Sequence, residues 1–323
     1  MNTTNNGFDR ELYLENHPVV STLYTLITPM IAKAYSIFRE RVFSRHTGTF
    51  LYAKPRMGKT RCARIIRDLL AAEFPKKYFL YHTADGNKSA KLIRDLVVEV
   101  GLFKNPKESY SALMEKFIVH VRAEVESRGG GHFVIIIDEN QLLSTDSWNE
   151  LLVIHNRLEM HGISMTTLGF GQEEILQKRH FFFGLGATNL VARFLCEPIR
   201  FNGCMSEADF ESMLNEYDAN KEFPLDSGCS YTNFFLPKAF AASFRLVQYN
   251  KLIWSGLMSV AGESGPGALP MEHMFRVIER ILIRSRHMDC SEFKLTEGIV
   301  KEAVDSSLIA EFVSFMQQAP SSE

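Results

Sequence analysis

The chain has 323 residues, 46% of them apolar and 23% charged, with a formal net charge of −2. That balance excludes a disordered or fibrous polypeptide, and the length suits one large domain or two smaller ones with real cores. It also supplies no overall positive field, so a polyanion partner would have to be met by a local basic patch.

Residues 1–16, which include "MNTTNNGFDRELYLEN", are polar, lack the apolar core of a signal segment and are expected to be mobile. From Val19 to Phe43 the residues Val20, Leu23, Leu26, Ile27, Met30 and Ile31 recur at helical spacing. A short strand is expected at Thr49–Tyr52, a loop after it, a helix over Lys59–Phe74 and a second strand over Tyr78–Ala84. Helices follow over Ser89–Val100 and Tyr110–Glu126, and "RGGG" (128–131) breaks the chain. Phe133–Ile137 is a continuous apolar run without alternation, as a strand buried on both faces requires. A helix over Ser147–Met160, a strand over Gly162–Gly171, helical segments at Gln172–Lys178 and Thr188–Phe194, and a short strand at Pro198–Phe201 complete an alternating pattern. Such alternation implies crossover units and a parallel sheet flanked by helices, an α/β fold. Beyond Glu207 the strand signal fades. Ser206–Tyr217, Pro237–Ser259, Pro270–Arg286 and Thr296–Ala310 read as helices, with a loop at Ala261–Pro270.

Five cysteines, Cys62, Cys196, Cys204, Cys229 and Cys290, form no CxxC pair and are odd in number, so reduced thiols fit better than disulfides or zinc. The ten histidines show no metal-ligand spacing, His132 included. No run approaches the roughly 20 apolar residues of a membrane helix, and a cytoplasmic location without membrane contact is the expectation.

The stretch "FLYAKPRMGKTRCARIIR" meets most of the phosphate-loop template G-x-x-x-x-G-K-[ST]. Its eight positions read Ala53, Lys54, Pro55, Arg56, Met57, Gly58, Lys59 and Thr60. The last three match, and alanine replaces the first glycine. Backbone N–H groups of Pro55–Arg61 and the helix start can cradle phosphate oxygens, except at the proline itself. Lys59 would reach the β- and γ-phosphates, and the Thr60 hydroxyl would hold Mg²⁺. Ala53 is costly only if that position needs a positive φ. The alternative is a basic turn with a chance GKT. A second motif weighs against chance. In "VIIIDEN" an apolar strand ends in Asp138 and Glu139, where Asp138 would order the Mg²⁺ shell and Glu139 would polarise an attacking water.

Phosphoryl transfer also needs a polar group at the next strand tip and positive charge. The strand ending "TTLGFGQ" offers Thr167 and Gln172, with Thr166 behind them, to sense the γ-phosphate. Arg193, just before the last strand, can act as an arginine finger on a neighbouring copy, with Arg200 or Arg179 as substitutes. Arg245, expected on a helix starting near Pro237, can report loss of ATP. In each case the alternative is an ordinary surface residue.

The order of these motifs resembles an AAA+ ATPase. The string "IIIDENQLLSTDSWNELLVIHNRLEMHGISMTTLGFGQEEI", together with "ATNLVARF", is similar to the TnsC/TniB group of transposition ATPases. The resemblance covers roughly residues 20–255. It implies an AAA+ P-loop parallel sheet flanked by helices and followed by a small helical lid. The domains would be 1–16 as a mobile segment, 17–204 as the nucleotide-binding domain, 205–310 as the lid and 311–323 as a tail. It implies ATP and Mg²⁺ as cofactors on Lys59, Thr60, Asp138 and Glu139, a trans-acting Arg193, and Arg245 as lid sensor. It further implies self-assembly into a heptamer- or hexamer-like ring, or a filament, on double-stranded DNA, with transposase and target-selector proteins as partners. DNA contacts are expected from Lys88, Lys91, Arg94, Lys104 and Lys107, which could track phosphates with strong salt dependence. Lys54, Arg56, Arg61, Arg64 and Arg67 form a second basic cluster, expected to serve nucleotide or neighbouring-subunit contacts. Two alternatives remain: a P-loop phosphotransferase on a small acceptor, and a non-hydrolysing adaptor with ATP as a structural ligand.

Overall fold

The computed structural model describes residues 9–86, 92–103, 105, 107–262, 265, 267 and 269–318. Contacts divide the chain into two units: residues 33–55 with 59–201, and residues 1–32 with 56–58 and 202–323.

In the first unit, among the described residues, five strands pair in parallel: β1 (Gly48–Tyr52), β2 (Tyr78–Thr83), β3 (His132–Asp138), β4 (Ser164–Gly171) and β5 (Pro198–Arg200). Their order is β2-β3-β4-β1-β5. Every residue of β3 is buried, as expected for an apolar run with parallel neighbours on both sides and cover on both faces. β4 lies between the strand that leads into the GKT loop and the strand that ends in Asp138. The register pairs Gly171 with Tyr52 and Phe170 with Asp138, so the tip of β4 stands between the two motifs.

Among the described residues seven helices serve this unit: α1 (Pro29–Phe43, shared with the second unit), α2 (Lys59–Glu73), α3 (Leu92–Glu99), α4 (Tyr110–Ser127), α5 (Thr145–Met160), α6 (Glu174–Gly184) and α7 (Thr188–Phe194). On one sheet face Phe50, Ile135 and Ile137 meet Phe117 of α4, Trp148 of α5 and Phe194 of α7. On the other, Phe38 of α1 packs edge-on to Phe170, and α2 buries Cys62, Ala63, Ile66 and Leu70. Burial of Ile66 or Leu70 is worth about 1.5–3 kcal/mol each. It also anchors the helix whose first residue is Lys59.

The second unit holds α8 (Glu207–Asn215), α9 (Asn250–Ala261), α10 (Met271–Ser285), α11 (Glu297–Ser306) and α12 (Ile309–Gln318) around a core that includes Phe210, Tyr217, Phe235 and Ile278. The Tyr24 hydroxyl joins Tyr217 and donates to Glu279 Oε1 at 2.7 Å inside it.

Several elements depart from the periodic pattern. The helix expected over Val19–Phe43 is broken: a turn at Pro18–Ser21 ends in left-handed Thr22 (φ 56°), and α1 starts afresh at Pro29. Proline suits a first helical turn but drives the residue before it away from the helical region. Pro237–Ser259 is also not one helix. Pro237–Ala241 stops, Ser243 takes φ 72°, and Arg245 is extended. The buried carboxylate of Asp218 accepts the N–H groups of Leu246 and Val247 at 3.0 Å each, which starts a new turn there. Thr296–Ala310 is interrupted by left-handed Leu308 (φ 59°), and α12 occupies part of the region expected as a tail. Arg10–Tyr13 forms a capped turn, and residues 17–32 group with the helical unit rather than with the sheet. Among the described residues no helix is long and apolar enough to cross a membrane.

Candidate nucleotide site

β1 ends at Tyr52 and α2 begins at Lys59, so residues 53–58 form the connection that the GKT motif predicts. Left-handed backbone occurs at Arg56 (φ 60°) and Gly58 (φ 91°), and not at Ala53. The alanine in place of the first glycine therefore meets no left-handed penalty. It is buried, and its N–H donates to Gly171 O at 3.1 Å. Arg56 instead takes the unfavourable conformation, at a cost of about 1–2 kcal/mol. Within the helical unit Arg56 pairs with Glu272 at 3.0 Å and lies over the Phe312 ring. Met57 is buried, Pro55 half-buried and Lys54 exposed.

Lys59, the first residue of α2, is 5% exposed. Its ammonium donates to Lys54 O at 3.1 Å and Ala53 O at 3.3 Å. Burial lowers its pKa, and the carboxylates of Glu139 and Asp138 act against that shift. Thr60 follows in the first turn, half-buried, and Arg61 and Arg64 are exposed. The 15-residue α2 thus directs the N-terminal end of its dipole, with first-turn N–H groups that have no acceptor within the helix, at the loop.

Asp138 closes β3 with 1% exposure. Its Oδ1 accepts Glu139 N–H at 3.0 Å, and its Oδ2 accepts the Tyr81 hydroxyl at 2.9 Å. Glu139 is left-handed (φ 54°), so the chain turns sharply off the strand. Glu139 Oε2 accepts Gln141 Nε2 at 2.5 Å and Gln172 Nε2 at 3.3 Å. Gln172 N–H in turn donates to Gln141 Oε1 at 3.0 Å. The expected sensor and the expected catalytic carboxylate are therefore in direct contact.

The glycines of "GFGQ" have a packing reason. A Cβ on Gly169 would lie 2.2 Å from Asn140 Nδ2, and one on Gly171 would lie 2.1 Å from Asn140 Oδ1. The Asn140 amide, fully buried, occupies that space with no hydrogen-bond partner among the described residues. Thr166 and Thr167 do not reach the strand tip. Thr167 pairs with Ile135, three residues before Asp138, and Thr166 Oγ1 donates to His46 O at 2.6 Å. β4 runs on to Gly171, which leaves Gln172 as the tip residue.

Arg193 stands in the last turn of α7, at the opposite end of the sheet. Its carbonyl lies 2.3 Å from where a Cβ on Gly48, the first residue of β1, would be. Its Nη1 donates to His155 Nδ1 at 2.5 Å, and burial followed by the Arg193 charge lowers the His155 pKa. Arg200 ends β5 beside Tyr52, 3.8 Å from Glu173. Arg179 donates to Leu195 O at 2.8 Å. Arg245 lies in the helical unit. Its guanidinium donates to Phe240 O and Phe244 O at 2.9 and 2.6 Å and covers the Phe240 ring. Of the basic residues expected on DNA, Arg94 is half-buried on α3 and Lys107 is exposed. Lys88, Lys91 and Lys104 lie outside the described residues.

Two residues of the cluster were not singled out from sequence. Gln141 sits two places after Glu139, just past the "VIIIDEN" motif. Tyr81 is 57 residues from Asp138, and only the β2–β3 register brings them together. The donor set suits a magnesium-bound triphosphate: an ammonium at a helix start, a hydroxyl beside it, and two successive carboxylates at the tip of the next strand but one.

Residues 43–178 match the family model of an AAA domain. No curated protein matches the chain. Among solved structures, the Orc1 protein of Aeropyrum pernix in complex with DNA aligns at 14% identity over 92% of this chain and 69% of that one, with a TM-score of 0.53. Drosophila ORC bound to DNA aligns at 11% identity over 90% of this chain and 67% of that one, with a TM-score of 0.51. The parallel five-stranded sheet flanked by helices has the fold of the AAA+ P-loop ATPases, and its matched AAA domain carries both the GKT loop and the Asp138–Glu139 strand tip.

Proposed function

We propose that this chain is an ATPase that assembles on double-stranded DNA in its ATP state and links a target-selecting protein to a transposase, in the cytoplasm. The observation that carries the ATPase reading is the placement of Lys59 at the start of α2 with Asp138 and Glu139 at the tip of β3, and the tip of β4 between those strands. Loop N–H groups over 56–61 and Lys59 would bind the phosphates. Thr60 and Asp138 would hold Mg²⁺, whose charge offsets that of the phosphate oxygens. Glu139 would orient the attacking water, and Gln172 would sense the γ-phosphate through the carboxylate it already touches. Arg193, at the far end of the strands from its own loop, would serve a neighbouring copy. Arg245 would act as lid sensor on leaving its two backbone carbonyls.

The DNA and transposition parts rest on the similarity of residues 135–175 to the TnsC/TniB group. The DNA-bound Orc1 and ORC structures of the same fold support the first of these. Arg94 and Lys107, with Lys88, Lys91 and Lys104, are the proposed phosphate contacts. Electron microscopy and sedimentation with duplex DNA test this reading. ATP should give rings or filaments and ADP should not, whereas a monomer with ATP, Mg²⁺ and DNA all present would overturn it. A second reading, ATP as a structural ligand without hydrolysis, is favoured by one observation: both glutamine amides hold the Glu139 carboxylate. Glu139→Gln should then change nothing, whereas in the first reading it traps long-lived assemblies.

A further inference from the structure

Tyr81 stands on β2 beside Ile136 of β3. Side chains alternate along a strand, so Tyr81 faces the same side as Ile136 and as Asp138 two residues farther on. A tyrosine can span that diagonal, and its hydroxyl reaches Asp138 Oδ2 at 2.9 Å. The other carboxylate oxygen already takes the Glu139 N–H at 3.0 Å. A buried Asp138 is thus gripped at both oxygens by groups from two strands. The ring of Tyr81 is itself held: the Arg67 guanidinium of α2 lies 5.6 Å from its centroid. A phenol is protonated at neutral pH, so the hydroxyl serves as donor to the carboxylate oxygen.

We infer that Tyr81 is a positioning residue: its hydroxyl sets the orientation in which Asp138 meets the water shell of nucleotide-bound Mg²⁺. The inference rests on the ATP-binding reading above. A carboxylate that loses one of two charge-assisted donors is free to rotate, and a site that depends on its direction should then need more metal. Nucleotide binding without metal, which depends on Lys59 and the loop, should not change.

The test is the affinity of the full chain for a fluorescent ATP analogue across a Mg²⁺ titration and in EDTA, for the wild type, Tyr81→Phe and Tyr78→Phe. Tyr78 lies on the same strand with its hydroxyl 3.2 Å from His120, and serves as control. Tyr81→Phe should raise the Mg²⁺ concentration for half-maximal binding about tenfold. Its affinity in EDTA and its melting temperature should stay close to wild type, and Tyr78→Phe should not move the Mg²⁺ midpoint. In an Asp138→Asn background, removal of the Tyr81 hydroxyl should have no further effect on that midpoint. An unchanged midpoint in Tyr81→Phe, equal losses with and without Mg²⁺, or an aggregated Tyr81→Phe would overturn the inference alone. A wild type that binds no MgATP would overturn the ATP-binding reading and this inference with it.

Discussion

The two ends of the sheet carry different kinds of polar residue. At the carboxyl end, Asp138, Glu139, Gln141 and Gln172 form a charged cluster held by a few side-chain donors. At the amino end, the buried polar groups are matched to one another. His132 Nδ1 meets Lys77 Nζ at 2.7 Å, and its Nε2 meets Thr166 Oγ1 at 2.9 Å. Burial, then Lys77 and Arg45, lowers the His132 pKa to about 3. One end concentrates charge where a ligand of open α/β sheets sits, beyond the strand carboxyl ends. The other neutralises its polar groups to close the sheet.

Mutations should separate the two ends. The largest effect is expected at the one amino-end residue proposed to act on another copy: Arg193→Ala should slow assembly-dependent ATP hydrolysis by about 10³–10⁵. Mixing it with a Lys59→Ala chain should restore turnover at the mixed interfaces, and no restoration would remove Arg193 from the trans role. Next, Glu139→Gln should lower hydrolysis by about 10²–10⁴ with ATP affinity and melting temperature retained. A matching loss of affinity would show that Glu139 serves binding instead. Gly171→Ala tests packing at the same end. Its Cβ would meet Asn140 Oδ1 at 2.1 Å and Gln141 Oε1 at 2.8 Å. A loss of about 1–3 kcal/mol in urea unfolding is expected.

A pH-dependent effect belongs to the amino end. His132 binds its proton near 6.5 when unfolded and near 3 when folded, so the unfolded state takes it up first as pH falls. Its contribution is full above pH 6.5 and declines below it, by about 1.4 kcal/mol per pH unit. His17, buried in the helical unit with a pKa of about 3, acts in the same direction. Urea midpoints measured between pH 4 and 7 should show this fall, and His132→Gln should flatten it in the sheet unit.

The contrast also explains what was legible in the sequence. The GKT loop and the Asp138–Glu139 tip are contiguous strings, each at a strand end, and their chemistry is local. The parallel sheet and α2 follow from alternation and from the apolar run at Phe133–Ile137, whereas the strand order does not. Tyr81 was not legible, because its partner is fixed by register between β2 and β3. The glycines at 169 and 171 were visible, but the Asn140 amide they accommodate was not. In the helical unit, periodicity overran the break at Ser243, because the cause is the buried Asp218, a residue 28 positions away from the Leu246 N–H it accepts.

The measurement that bears most directly on the account is equilibrium binding of ATP to the purified chain in the presence of Mg²⁺, with Lys59→Ala beside it. Saturable binding by the wild type is expected, with an affinity weaker by about a hundredfold in the variant and both proteins equally folded. A wild type that binds no ATP, or a Lys59→Ala chain that binds it equally well, would contradict the claim that the loop after β1 and the tip of β3 form a nucleotide site.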